Sequence, residues 1–238
     1  MTLRTLLLSV VLAVLGSAPA FAAPRQSVKP VAKAKKAPAR STQTSRSRGS
    51  TALAKATASK KKRPPVKPTR GRRVASRAAA LVGASLASYR VPDDCSGLVR
   101  ASYQAIGVEL LSHGTLPGEN AVSAIYRRAQ RSGALHKHTP RPGDIVFFHE
   151  TYDRNRDGVH NDGLTHVGVI ESVEADGTVV FVHRGGSGVK RSRMNLRQPA
   201  QHGQKGHVLN DYLRRAEGGE RARLTSELFS GYASASRL

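Results

Sequence analysis

The chain has 238 residues and a formal net charge of +23, with one cysteine and no tryptophan. A single cysteine excludes an internal disulfide framework, and the absence of Asp and Glu before Asp93 concentrates the positive charge in the N-terminal third. This balance favours anionic partners, but residues 24–73 contain no aromatic side chain for base stacking, which argues against a nucleic-acid partner.

Residues 1–23 are typical of a secretory signal peptide. Arg4 precedes an apolar run over residues 6–15, and the sequence Ala20-Phe21-Ala22 predicts cleavage near Ala22 or Ala23. The apolar run is shorter than the about 20 residues that a membrane helix needs, so we expect no membrane span. The mature protein is therefore predicted to be secreted or periplasmic.

Residues 24–73 form a basic arm of Lys, Arg, Ala, Pro, Ser and Thr with almost no large apolar side chain. Such a composition cannot bury enough surface to offset the entropy of ordering, so we expect disorder. The charge of the arm suits binding to anionic envelope polymers. Residues 74–217 have the size of one domain, and residues 218–238 form a tail whose pattern is too weak to assign.

Three helices are predicted before the first strand. Residues 74–88 are rich in Ala and Leu and end before Pro92, and residues 121–131 are amphipathic. Between them, Asp93 or Asp94 can cap a helix whose apolar residues recur at helical spacing.

The pattern then changes to strands. Residues 144–148, 165–173 and 178–183 are rich in β-branched and aromatic side chains, and the turn signal Asp176-Gly177 joins the last two in a hairpin. Residues 209–215 are interpreted as a short closing helix. Helices followed by an antiparallel sheet predict an α+β fold.

The single cysteine, Cys95, falls in the first turn of the second predicted helix. Unpaired backbone N–H groups and the helix dipole favour a thiolate there, and such positions lower a cysteine pKa from about 8.5. A buried structural cysteine is the alternative, but it would more naturally lie in the middle of the helix, beside Val99 and Tyr103.

A thiolate nucleophile needs a base, and the base needs an orienting partner. His166 begins one strand of the predicted hairpin and His183 ends the other, so both lie at the end away from the turn and are expected to be neighbours. The remaining histidines lie in polar or loop segments and are expected to be solvated; they include His136, His138, His149, His160, His202 and His207.

Four segments, in this order, resemble the NlpC-type cell-wall peptidases, a papain-like group related to the CHAP amidases. They are Asp94-Cys95-Ser96-Gly97-Leu98-Val99, Pro142-Gly143-Asp144-Ile145-Val146-Phe147-Phe148, Thr165-His166-Val167-Gly168-Val169-Ile170 and Phe181-Val182-His183. The resemblance implies a papain-like α+β fold with the cysteine at a helix N-terminus packed on the antiparallel sheet that carries the histidines. It also implies cleavage of peptide or amide bonds in the stem peptides of peptidoglycan. We expect the protein to be a monomer.

By this resemblance Cys95 is the nucleophile, His166 is the base that later protonates the leaving amine, and His183 fixes the imidazole. Family members carry a tyrosine and a Gly-Gly segment before the cysteine, where this chain offers only Tyr89. Tyr89 is a candidate for the oxyanion or a packing residue, and the backbone N–H of Cys95 is the safer oxyanion donor. Asp94 and Ser96 are expected to support the site.

An insertion over residues 150–164 contains alternating oxygen ligands and a glycine, as calcium loops do. The candidate ligands are Asp153, Asn155, Asp157, the carbonyl of Val159 and, later in the loop, Asp162. A full EF-hand would place a glutamate where Leu164 stands, and the alternative is a turn-rich surface loop. The cysteine chemistry itself requires no cofactor.

Two other functions compete with hydrolysis. A noncatalytic wall-binding module would use the basic arm to hold anionic polymer, but such a protein would be expected to lack Cys95 or His166, and both are present. An acyltransferase on the same fold would use an amine instead of water at the acyl-enzyme stage.

Overall fold

A computed structural model describes residues 67–238. The predicted signal peptide and residues 24–66 of the basic arm lie outside this range. Within it, no helix has the length and apolarity required to cross a membrane.

Between residue 67 and the sheet, the chain forms three α-helices, namely α1 (Arg70–Ala80), α2 (Cys95–Tyr103) and α3 (Ala121–Arg131). A polar side chain caps each one, from Thr69, Asp94 and Asn120 respectively. The predicted bounds of α3 and the cap of α2 are confirmed.

The first helix differs from its predicted bounds of 74–88. It begins at Arg70, inside the segment assigned to the arm, and ends at Ala80. Three residues later, Gly83 has a φ of +77°, and its backbone N–H bonds to the carbonyl of Val189 in the sheet. A tertiary hydrogen bond therefore ends α1 early, and residues 87–89 form only a short 3₁₀ turn.

Ten strands follow. They are β1 (Leu135–His136), β2 (Ile145–His149), β3 (Leu164–Val173), β4 (Val179–Gly185), β5 (Gly188–Met194), β6 (Gly203–Gln204), β7 (His207–Val208), β8 (Tyr212–Arg214), β9 (Arg223–Leu224) and β10 (Phe229–Ala233). Six of them form one antiparallel sheet in the order β1-β10-β2-β3-β4-β5. The predicted α+β fold and the β3–β4 hairpin are confirmed.

The predicted closing helix over residues 209–215 is wrong. This segment is extended and contains β8. Asn210 donates to the carbonyls of Gln198 and Gln201, and Asp211 accepts the N–H of Arg193. These contacts with distant residues hold the chain in an extended form that helical spacing does not reveal.

The C-terminal tail, which carried no assignable pattern, completes the central sheet. Its strand β10 lies between β1 and β2, so the last strand of the chain is interior. The buried carboxylate of Asp144 accepts the N–H of Ala235 at 3.0 Å and that of Arg141 at 2.8 Å, which fixes the chain after β10 beside the start of β2.

The sheet has a hydrophobic core on each face. Alternate residues of β2 separate the two, with Ile145 and Phe147 packed in the core that contains the three helices and Val146 and Phe148 packed in a smaller one. The smaller core is closed by Leu228 and Tyr232 from the C-terminal segment. Both cores therefore depend on residues beyond 217.

We predict that Ala233→Lys destabilises the domain by at least about 3 kcal/mol, because Ala233 is fully buried and the new charge has no partner. For a domain of this size the melting temperature should fall by roughly 6–12 °C in a thermal unfolding scan. Ser236→Lys places the same charge at an exposed site and should change it little. Equal stability of both variants would contradict the interior position of β10.

Candidate active site

Helix α2 presents Cys95 as its first residue. Asp94 Oδ1 accepts the backbone N–H of Gly97 at 2.8 Å and the hydroxyl of Ser96 at 2.7 Å, so both predicted supporting residues belong to the helix cap. A Cβ on Gly97 would lie 1.8 Å from the carbonyl oxygen of Pro92. Only glycine allows this tight approach, which sets the direction in which α2 starts.

His166 of β3 and His183 of β4 are in direct contact. His166 Nε2 lies 2.8 Å from His183 Nδ1, and the two rings meet edge to face at 85°. Both side chains are buried. The predicted proximity of the two histidines is confirmed.

Cys95, His166 and His183 line the same open pocket. The backbone N–H of Val167 interacts with the Cys95 sulfur, which places the sulfur beside β3 at the residue that follows His166. Since Nε2 of His166 is hydrogen-bonded to His183, Nδ1 is the ring nitrogen of His166 that is available to the thiol.

The expected thiolate at Cys95 is contradicted. Burial, and then the negative charge of Asp94, raise the pKa of the Cys95 thiol from its ordinary value of 9.0 to about 11, although backbone N–H groups act in the opposite direction. The thiol is therefore neutral at pH 7. The sequence indicated that Cys95 lies at a helix N-terminus, which favours the thiolate. It did not indicate the burial, which raises the thiol pKa by more than the helix terminus lowers it.

The histidines are also uncharged at neutral pH. Burial lowers the pKa of His166 to about 4, and the positive charge of Lys190 acts in the same direction. Burial also holds the pKa of His183 well below its usual range, with further contributions from His166 and Lys190. A neutral imidazole at His166 can accept a proton.

Ser192 extends the histidine pair. Its Oγ lies 3.0 Å from His183 Nε2, and the residue is buried in β5. If His183 donates Nε2–H to Ser192, its Nδ1 must accept Nε2–H from His166, which leaves Nδ1 of His166 with a free lone pair. In that arrangement His166 has the tautomer that can act as a base towards Cys95.

Residues 86–185 match the CHAP domain family. The chain contains a CHAP domain. This family comprises papain-like cysteine amidases and peptidases, and membership indicates a cysteine-dependent cell-wall hydrolase. No curated protein and no solved structure shows a significant match to the chain.

The CHAP match includes Cys95, His166 and His183 but ends before β5, so Ser192 lies outside it. Sequence reasoning missed Ser192 because it did not predict β5. Once this strand is placed, its register against β4 sets Ser192 opposite Phe181, two residues from His183.

Two tyrosines differ in their relation to the CHAP site. Tyr89, the oxyanion candidate, does not line the pocket; it packs at the edge of the larger core, and the Arg77 guanidinium lies 4.7 Å from its ring centroid. Tyr152, from the insertion, does line the pocket. Burial, and then the negative charge of an ionised Cys95, raise the pKa of the Tyr152 hydroxyl.

The predicted calcium loop forms a set of turns beside the CHAP pocket. Asp153 accepts the N–H groups of Arg156 and Gly158, and Asp157 accepts that of Val159. Within residues 67–238, no three His, Cys, Asp or Glu side chains gather as a metal site. Two more hydrogen bonds lie within the loop: the side-chain amide of Asn155 donates to Asp157, and the backbone N–H of Arg154 donates to Asp162.

Of the histidines expected to be solvated, His160 lines the CHAP pocket, with its Nδ1 3.9 Å from Glu220. His136 is also an exception, because it stacks on His138 at 3.8 Å and lies 3.4 Å from the buried Asp144. This second cluster does not line the pocket of Cys95.

We predict that alkylation of Cys95 by iodoacetamide accelerates about tenfold per pH unit up to pH 10, because only the thiolate reacts and the thiol pKa is about 11. The urea-unfolded protein should instead level off near pH 9, as an ordinary thiol does. Samples quenched at intervals and analysed by mass spectrometry give the alkylation rate of both states at each pH. If the alkylation rate of the folded protein reached a plateau below pH 8.5, the thiol pKa would be low and the resting state would be a thiolate.

We predict that Ser192→Ala lowers kcat about tenfold and leaves KM nearly unchanged, because the His166 tautomer is no longer selected. Ser192→Thr keeps the hydroxyl and should recover part of the loss. Ser76→Ala, at an exposed position of α1, is the control. A loss of folding without a change in kcat of the remaining active protein would make Ser192 a packing residue.

Proposed function

We propose that the protein is an exported peptidoglycan hydrolase that cleaves a peptide or amide bond of the stem peptide. The observation that supports this best is the buried His166–His183 pair, joined at 2.8 Å, in one pocket with Cys95 at the start of α2. The CHAP family supplies the reaction class, and the choice between endopeptidase and amidase belongs to this proposal.

Acylation begins with the neutral thiol and the neutral imidazole. As Cys95 Sγ forms a bond to the substrate carbonyl carbon, the thiol proton passes to Nδ1 of His166 and the carbonyl oxygen takes the negative charge. Since Cys95 is the first residue of α2, its N–H has no partner within the helix and can stabilise this oxyanion.

The leaving amine then takes the proton from His166, and the C–N bond breaks to leave a thioester on Cys95. Water attacks the thioester, giving one proton to His166, and the C–S bond breaks as the sulfur regains that proton. His183 and Ser192 keep the ring of His166 in place through both steps.

Acyl transfer is the second candidate within the same chemistry, with an amine in place of water. The open pocket admits either acceptor, and product analysis distinguishes them. A noncatalytic binding module gains less support, because it would have no use for a nucleophile and a histidine pair kept together.

We predict that Cys95→Ala and His166→Ala each lower muropeptide release by at least about 10³-fold, and that the double variant is little worse, because the two residues act as one unit. His183→Asn should retain more activity than His183→Ala. Mass spectrometry of fragments released from purified peptidoglycan measures the activity and identifies the bond.

His207→Ala, which removes an exposed histidine, is the matched control for these variants. Full lytic activity in Cys95→Ser would overturn the mechanism, whereas binding of peptidoglycan by the wild type without any release of fragments would favour a binding module. Fragments joined to an added amine, rather than free carboxylates, would favour the acyltransferase.

We also propose that the insertion loop binds calcium weakly through Asp153, Asn155, Asp157 and the carbonyl of Val159. Each carboxylate keeps lone pairs beyond those that accept the loop N–H groups. Calcium would supply a structural charge that orders the loop leading to β3.

We predict a higher melting temperature in millimolar calcium than in chelator, as expected for a ligand that binds only the folded state. Asp153→Ala should abolish this difference, whereas Asp176→Ala, in the β3–β4 turn, should keep it. If isothermal titration calorimetry showed no heat of binding at millimolar calcium, the loop would be a set of surface turns that does not bind calcium.

A further inference from the structure

The pocket around Cys95 contains more cationic than anionic side chains. Two of its arginines already have partners, since Arg184 pairs with Asp93 at 2.8 Å and Arg214 pairs with Glu220 at 2.6 Å. Lys190 also lines the pocket, and no carboxylate within residues 67–238 forms an ion pair with it. Lys190 is thus a cation available to a ligand.

Lys190 lies immediately beside the histidine pair. Its Cα is in register with that of His183 in the neighbouring strand, so the two side chains point to the same face of the sheet. Lys190 Cε and His183 Cε1 lie 3.3 and 3.4 Å from the position that a Cβ on Gly185 would occupy. The lysine chain therefore covers Gly185 and runs along the imidazole of His183.

Two glycines near Lys190 leave room for a ligand. Gly185 ends β4 and Gly186 begins the turn to β5, and both line the pocket. A Cβ added at Gly186 would have no heavy atom of a non-adjacent residue within 4 Å. A group bound to the ammonium of Lys190 can therefore lie in the same open pocket as the sulfur of Cys95.

We propose that Lys190 binds a free carboxylate of the substrate and so selects acidic peptides for cleavage at Cys95. This inference rests on the proposed function, because it names the substrate class of the same site. A carboxylate suits the position because an ammonium forms charge-assisted hydrogen bonds with it.

The same contact would help the reaction. The charge of Lys190 opposes protonation of both His166 and His183. A bound carboxylate would offset that charge just when His166 must take the proton of Cys95. The other charges that line the pocket, Asp94 and Glu217 among them, do not pair with Lys190.

The test uses a synthetic stem peptide with free carboxylates and a series in which each carboxylate in turn is converted to the amide. We expect wild-type protein to cleave one member of the series with a clearly lower kcat/KM. Lys190→Met should reduce the carboxylate-to-amide ratio of kcat/KM for that peptide about tenfold, and Lys190→Glu should reduce it further. Lys205→Met, in the exposed β6–β7 turn, should keep the ratio.

Two outcomes would overturn the proposal. An unchanged ratio in Lys190→Met means that Lys190 does not bind the carboxylate. An equal loss of kcat/KM for every peptide means that Lys190 acts only through His183. Both outcomes leave hydrolysis by Cys95 intact.

Binding to the inactive Cys95→Ala variant separates this proposal from the proposed function. Calorimetry should show tighter binding of the carboxylate peptide than of its amide, and the difference should vanish in Cys95→Ala/Lys190→Met. If wild-type protein cleaves no member of the series, the proposed function fails, while the binding comparison still decides the role of Lys190. Equal affinities in the two backgrounds would refute it.

Discussion

The hydrogen bond between His166 and His183 is the constraint on which the site depends. Two imidazoles can be buried together only if their ring nitrogens find partners, since an unpaired buried polar group costs about 1–3 kcal/mol. The β3–β4 hairpin brings the rings to 2.8 Å, and β5 supplies Ser192 for the outer nitrogen. One nitrogen, Nδ1 of His166, then remains for Cys95.

The chemistry at Cys95 results from two opposing effects, and their magnitudes decide which prevails. A helix N-terminus stabilises a negative charge by about 0.3–1 kcal/mol, and up to ~2 kcal/mol where it is partly buried. Burial and Asp94 act against the thiolate, and the net result is a pKa raised from 9.0 to about 11, or ~3 kcal/mol. The position at the helix start orients the sulfur and the backbone N–H of Cys95, but it does not produce a thiolate at neutral pH.

Local signals in the sequence predicted the elements that carry the nucleophile and the histidines. The Asp94 cap marks α2, and the Asp176-Gly177 turn sets the ends of the hairpin and hence the proximity of His166 to His183. Strand β10 and Ser192 were not predictable in this way, because their places depend on pairing between segments far apart in the chain. A period of two can indicate a strand, but it does not say which strand will be its neighbour.

The neutral resting state has a consequence for a CHAP protein with one cysteine. With a thiol pKa of about 11, only ~10⁻⁴ of the protein carries a thiolate at pH 7, so oxidants and metals that attack thiolates find few targets. Reactivity must then arise when substrate is bound, since the proton of Cys95 leaves as the bond to the carbonyl carbon forms. Lys190, beside His183, is placed to make that transfer depend on an anionic substrate, because its charge opposes the protonation of His166 until a carboxylate offsets it.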